Sequence, residues 1–325
     1  MNFSRRHVAL SLIAVAAVAA TMLPASAQPY PTRPIKMLIG LPAGGGADII
    51  ARYFAEQLKD VLGQSVVVEN KPGAGGNLAT QAVASAEPDG YTMLFSTSNP
   101  LTGNFYLYKN LPFKISDFSP VTTLGQGAFV LAVNGKSNIN SVADLTAHLK
   151  TKGSKATYGS PTSISLASSE IYLAHAGVTA QLVRYKASAQ ALNDLKAGEI
   201  DYFFIDSTAA IGPAKRGDLK ALAVTTRQRI SAMPDTPTMQ EAGVPDFDMS
   251  SWFGIFVPAK TPAAIRDKLE TALNEIVKRK ATSDYLNGIG IDAWPGSAAA
   301  LIDQVKRQTE TYRKLSEAGK LDAAD

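Results

Sequence analysis

The stretch KMLIGLPAGGGADIIARYFAEQL, residues 36–58, changes character twice. Lys36-Met37-Leu38-Ile39 is an apolar run. It enters a turn built from Pro42, Gly44, Gly45 and Gly46, and the turn opens onto Ile49, Ile50, Tyr53, Phe54, Leu58, Val61 and Leu62, which recur at helical spacing. The order is strand, glycine loop, helix. Glycines there let a ligand approach the backbone, and the free N–H groups of a helix start favour an anion. A dinucleotide, a nucleoside triphosphate and a carboxylate are the anions to be weighed.

The same alternation runs outward from this unit. SVVVEN reads as a second strand, KPGAGGN as another glycine loop, residues 78–86 as a helix and YTMLF as a third strand. A second set follows, with strands FVLAVN, ATYGS, QLVRYK, IDYFFID and LKALAVTT separated by helical segments. SSWFGIFVPA is a later strand, a long helix runs from Thr261-Pro262 to about residue 280, and SAAALIDQVKRQTETYRKLSEAG is a last helix. Alternation of this kind predicts an α/β fold with mostly parallel sheets and ligands at the carboxyl ends of strands. The tail is expected to return to the first set of units, so that two crossings of the chain form a hinge.

The beginning of the chain predicts export. Arg5 and Arg6 precede an apolar stretch from Val8 to Leu23, and Ala25-Ser26-Ala27 forms a small-x-small cleavage site before Gln28. The apolar run is shorter than the roughly 20 residues of a membrane span and is followed at once by QPYPTRP, so no anchor is expected. Removal of residues 1–27 lowers the formal charge from +4 to +2. No run of five like charges and no basic cluster interleaved with aromatics is present, which argues against nucleic acid. Cysteine is absent, which removes disulfides and thiolate chemistry, and a composition 46% hydrophobic supports a large core instead. His148 and His175 both sit at helix ends, where they serve terminal carbonyls rather than a metal or a triad, and no G-x-S-x-G elbow accompanies them.

Gly40-Leu41-Pro42-Ala43-Gly44-Gly45-Gly46 fits G-x-x-x-G-x-G, and Glu69 ends the next strand, so a nucleotide-dependent oxidoreductase is one alternative. Export and the lack of a Tyr-x-x-x-Lys pair weigh against it. A triphosphate is disfavoured because no Gly-Lys-Ser/Thr ends the loop. The carboxylate reading gains from six blocks that follow in order: LPAGGGADIIAR, VVVENKPGAGGNLATQAVASAEPDGYTMLFST, YKNLPFKISDFSPV, YKASAQALNDLKAGEIDYFFID, MPDTPTMQEAGVPDF and SSWFGIFVPAKTP. Together they resemble the extracytoplasmic receptors of the tripartite tricarboxylate transporter family, also called Bug or TctC-type proteins, over essentially the whole mature chain.

The resemblance implies a two-lobed, Venus-flytrap periplasmic binding protein of the type II kind. It would be a monomer without cofactor or catalysis that captures a small organic acid and delivers it to membrane transporter subunits. Di- and tricarboxylates, aromatic carboxylates and acidic amino acids are the ligand classes implied, and a ligand-binding part in a signalling system is a further alternative. The lobes are expected at residues 28–128 with 250–325, and at 129–249. In this family the ligand is held by backbone N–H groups, hydroxyls and waters. Carried onto this chain, the first loop falls on Ala43, Gly44, Gly45, Gly46, Ala47 and Asp48, with Asp48 also placed to cap the helix. Thr97, Ser98 and Asn99 end the third strand beside it. Across the cleft the family's Gly-x-Gly-Ser-x-x-His loop is two residues shorter here and has Leu166 in place of the histidine. It retains Ser160, Thr162, Ser163 and Ser165. Asp206, followed by Ser207 at a helix start, matches a position facing the ligand, where it can pair with an ammonium group or cap the helix. Lys186 is a candidate cation, Trp252 a core residue, and Phe105, Tyr106 and Tyr108 either enclose an aromatic acid or pack. A valine at Gly45 is expected to block the approach of the ligand.

Overall fold

The apolar run Ile35–Ile39 forms β1, buried at four of its five positions, as expected of a strand covered on both faces. In the computed structural model, which describes residues 30–321, β1 lies parallel to β2 (Val66–Asn70) and β3 (Thr92–Thr97). The proposed leader, residues 1–27, lies outside the described residues. Helix α1 (Gly46–Leu62) links β1 to β2 and ends on Gly63 at φ 68°, a left-handed turn that a side chain resists. Helix α2 (Asn77–Ala84) links β2 to β3, and a short α3 (Asn104–Leu107) follows.

The strand read at residues 129–134 is the end of a much longer one. Strand β4 runs from Phe118 to Asn134, because Gly125 and Gly127, which look like breakers in the sequence, sit in extended backbone where another segment presses close. A Cβ on Gly125 would lie 2.9 Å from Ile291 Cγ2, and one on Gly127 would lie 2.6 Å from Ser251 Oγ and 2.8 Å from Ile291 Cδ1. These glycines make room for a neighbour rather than a turn.

Beyond β4 come α4 (Val142–Lys152), β5 (Thr157–Ser160), α5 (Ser163–Ala176), β6 (Gln181–Arg184), α6 (Ser188–Ala197), β7 (Tyr202–Asp206), α7 (Ser207–Lys215) and β8 (Leu219–Val224). The chain returns through β9 (Ser250–Pro258) to α8 (Ala263–Val277), α9 (Lys280–Gly288), the two-residue β10 (Asp292–Ala293) and α10 (Ala298–Glu317). The long helix expected up to about residue 280 ends at Val277, and the following α9 and β10 went unread. From Arg33 onward these elements form one compact unit.

The strand order is β2-β1-β3-β9-β4-β7-β5-β6, with β8 and β10 also paired to β4. The βα units give parallel pairs on both sides, β1 with β2 and β3, and β5 with β6 and β7. The joining strands are antiparallel: β9 lies between β3 and β4, and β4 passes from β9 to β7 and β8. The tail returns to the first units through β9, and Tyr53 of α1 stacks on Tyr285 of α9 at 4.2 Å. Trp252 is fully buried, its indole N–H donating to Gln308 Oε1 at 2.7 Å. The two flanks of β4 carry separate apolar clusters, around Tyr158, Tyr202 and Phe204 on one face and Phe203 and Ile205 on the other.

Candidate functional site

Helix α1 begins without a side-chain cap. Its N-cap is Gly45, in extended backbone, and its first backbone bond is Ile49 N–H to Gly45 O, 3.0 Å. The N–H groups of Gly46 and Ala47 therefore have no acceptor among the described residues. Both residues line a cavity of about 370 Å³. The positive end of the helix dipole faces the same space.

The glycines of the loop divide the work. Gly44 takes φ +80°, and its N–H donates to Asp48 Oδ2 at 2.8 Å, so it shapes the turn. Gly40 touches the second glycine loop: a Cβ there would lie 2.5 Å from Gly76 Cα. That close approach, rather than a pyrophosphate, accounts for the first glycine of the dinucleotide-like pattern. Ala43, Gly44 and Gly45 are exposed and do not line the cavity. The position where a side chain would enter it is thus Gly46, not Gly45, and a Cβ on Gly46 meets nothing within 4 Å.

Asp48 is buried and points into the loop. Its Oδ2 also accepts from Arg52 Nε at 3.0 Å, and its Oδ1 from Asn70 Nδ2 at 2.8 Å. Burial pushes this carboxyl up, but the donors of Arg52, Gly44 and Asn70 outweigh it and hold it below the ordinary value. Asp48 therefore ties α1 to β2 and braces the loop from the third helical position, instead of capping the helix from its start.

The carboxyl end of β3, on the same side as the glycine loop, supplies Thr97, Ser98 and Asn99, all of which line the cavity. Asn99 Oδ1 is a buried oxygen with no partner among the described residues, and so is Oγ of Ser251, another lining residue. Orphaned polar atoms at a cavity wall mark a place where a ligand or water completes the hydrogen bonding. From the other flank come Thr162, Asp206 and Thr208. Thr162 caps α5, its Oγ1 accepting from Ser165 N–H at 3.2 Å. Ser160 and Ser163 line an adjoining cavity of about 200 Å³ that shares Thr162 and is walled by Leu166. Ser165 is buried behind them, and Ser207 is buried with its Oγ donating to Gly290 O at 2.9 Å, so neither reaches the cavity.

Among the described residues Asp206 is the single ionisable one in the cavity wall. It caps α7, its Oδ1 accepting from Thr208 N–H at 2.9 Å and from Thr208 Oγ1 at 2.6 Å, while Oδ2 has no partner among the described residues. Burial raises its pKa, and the two Thr208 donors offset this only in part. Lys186 is exposed and away from the cavity, and Phe105 packs on the core beside Phe113.

Most of the apolar wall was not legible as site. Ile49 and Ile50 read as a core-facing helix stripe. Phe129 and Phe253 lie within strands, and Leu41 and Ile164 flank turns. Ile289 and Ile291 come from the segment between α9 and β10, more than two hundred residues from the glycine loop. Nothing local in their sequence marks them. Among the described residues no group of three His, Asp or Glu side chains is placed to hold a metal, and no helix is long and apolar enough to cross a membrane.

Residues 50–319 match the tripartite tricarboxylate transporter family receptor, TctC. The chain is 33% identical to protein BugT of Bordetella pertussis over 323 residues, covering 97% of this chain and 98% of BugT. Among solved structures, a TctC solute-binding protein from Polaromonas without ligand superposes with a TM-score of 0.80 at 27% identity, covering 89% of this chain and 99% of that one. The R. palustris protein Rpa4515, solved with adipate, gives 0.76 at 29% identity, covering 91% of this chain and all of that one. The mixed α/β fold is that of these periplasmic binding proteins, and the family is one of receptors rather than enzymes, which sets aside the oxidoreductase reading of Gly40–Gly46. The chain belongs to the tripartite tricarboxylate transporter family of receptors.

Proposed function

We propose that the cavity between α1, the end of β3 and the starts of α5 and α7 is where this receptor captures a small organic acid. The observation that carries the reading is the pair of N–H groups at Gly46 and Ala47, without acceptors among the described residues, opening onto a cavity whose described wall has hydroxyls but no lysine or arginine. Helix-end dipoles and neutral donors suffice for a carboxylate, since a hydrogen bond to a charged acceptor contributes about 1.5–3 kcal/mol. The adipate bound by Rpa4515 supports an acid as ligand.

On this reading residues 28–128 with 250–325, and 129–249, act as two lobes joined through β4 and β9. The bound acid favours their closed arrangement because only there do both sides touch it. The mature chain, cut after Ala27, works in the periplasm as a monomer and passes its ligand to the membrane subunits of a tripartite transporter. Thermal unfolding of residues 28–325 against mono-, di- and tricarboxylates, aromatic acids and acidic amino acids tests this, with NAD and NADP as controls. At a thousandfold excess over Kd, linkage gives about 4 kcal/mol, several degrees in midpoint. The Gly46→Val variant is expected to remain folded and to lose the shift. A full shift in that variant, or a shift with NAD alone, overturns the assignment.

A further inference from the structure

The chemistry of the cavity wall selects among acids. On the α1 side the donors are Gly46, Ala47 and residues 97–99, whereas on the α7 side Thr208 already gives both its N–H and its hydroxyl to Asp206. Apart from these and the hydroxyls of Thr162 and Ser251 the wall is hydrocarbon: Ile49 and Ile50 of α1, Ile164 of α5, Phe129 and Phe253 of the joining strands, and Ile289 with Ile291. Among the described residues the only charge there is the carboxyl of Asp206. An acid anchored by one carboxylate at Gly46 and Ala47 must lay the rest of its body against this surface. Apolar carbon placed there gains in proportion to the area it removes from water. A second carboxylate placed there loses its hydration without a cation to replace it, and lies near a group of like sign.

The wall is also held in place. The segment carrying Ile289 and Ile291 is tied to the opposite flank by Ser207 Oγ donating to Gly290 O at 2.9 Å, and by the Ser231 N–H donating to Asp292 Oδ1 at 3.2 Å. Gly290 has φ +80°, and a Cβ on it would lie 2.7 Å from Ile211 Cδ1, so this segment seats tightly on α7. Ile291 in turn fills the space left by Gly125 and Gly127 of β4. The two isoleucines cannot swing aside to admit water or a distant cation without breaking these contacts.

We infer that the receptor selects acids with a single carboxylate and an apolar body, aliphatic or aromatic, over di- and tricarboxylates, and that Ile289 and Ile291 set this preference. The inference rests on the proposed capture site and narrows its ligand class. The test is calorimetric titration of the mature protein at pH 7 with chain-matched pairs, hexanoate against adipate and benzoate against terephthalate. Each pair differs by one carboxylate. The monoacid of each pair is expected to bind at least about tenfold more tightly, the difference a buried unpaired charge makes. In the Ile49→Lys and Ile289→Lys variants, at one exposed and one half-buried wall position, the preference should shrink or reverse as the new cation meets the second carboxylate. Adipate or terephthalate binding as well as its monoacid overturns the inference and leaves the capture site standing. An unchanged preference in both lysine variants removes the isoleucine wall from the explanation. Failure of every acid to bind a folded protein overturns the capture site itself.

Discussion

Asp48 and Asp206 each stand at a helix start, and their surroundings move them in opposite directions. Asp48 is held below the ordinary aspartate value of 3.8 because Arg52, Gly44 and Asn70 together outweigh its burial. Asp48→Asn is expected to lower stability by about 2 kcal/mol, the scale of hydrogen bonds to a charged acceptor, read as a fall in urea midpoint. Asp206 is raised above 3.8 by burial, so the folded chain holds its proton more tightly than the unfolded chain. Its contribution therefore turns unfavourable as pH rises from 3.8 through the folded value. Asp206→Asn keeps the acceptor for Thr208 and sheds that cost, so it should raise the unfolding midpoint at pH 7, with the gain vanishing below 3.8. A variant that is no more stable at neutral pH would refute this account. Both aspartates were recognisable as helix-start residues in the sequence. Which donors each meets was not, because Arg52 and Asn70, like Thr208, acquire their roles only when the turns close.

Strand β4 shows the same division at the scale of an element. Its apolar end, FVLAVN, is a short apolar run ahead of a helical segment and was read as a strand, whereas Pro120, Gly125 and Gly127 disguised the first part. The two glycines are in the strand because Ile291 occupies the place of their side chains. Gly125→Ala should cost about 1–3 kcal/mol, as overpacking in a close-packed interior does. Combining it with Ile291→Ala should cost less than the two changes summed, by about 0.5–3 kcal/mol, the coupling expected of residues in contact. Strict additivity in denaturant unfolding would show that the glycine serves something other than Ile291. Similarly, the helix read to about residue 280 stops at Val277, and a break at Lys278-Arg279 separates it from α9, which went unread. The break lets Tyr285 stack on Tyr53 and Arg279 donate to Gln57 at 3.0 Å.

Across the whole molecule, buried carboxylates brace each flank from within. Asp201 accepts from Lys152 at 2.7 Å, pairs with His148 at 2.9 Å and accepts from Thr157 N–H at 2.8 Å, linking α4, β5 and the approach to β7. Burial raises this carboxyl, but Lys152, His148 and the Thr157 amide together carry it below the ordinary value. Asp48 and Asp201 both have depressed folded values, so their stabilisation is present above 3.8 and is lost as pH falls through the folded values. The urea midpoint should therefore fall on acidification below 3.8, and less steeply in the Asp48→Asn, Asp201→Asn double variant. An equal slope in both proteins would assign acid unfolding to other groups.

The sequence by itself determined the α/β class, the strand-loop-helix unit at residues 36–58 and the family, and it pointed to the donor end of the proposed site. The family rests on the resemblance of six blocks in order, and the others on local periodicity, on glycine and on helix starts, which operate over a few residues. The tertiary structure alone decided which loop glycine reaches the cavity, the length of β4, and the apolar wall that joins α1 to Ile289 and Ile291. Those features arise where segments distant in the chain are pressed together, and a side chain's meaning there depends on a neighbour that no local pattern names.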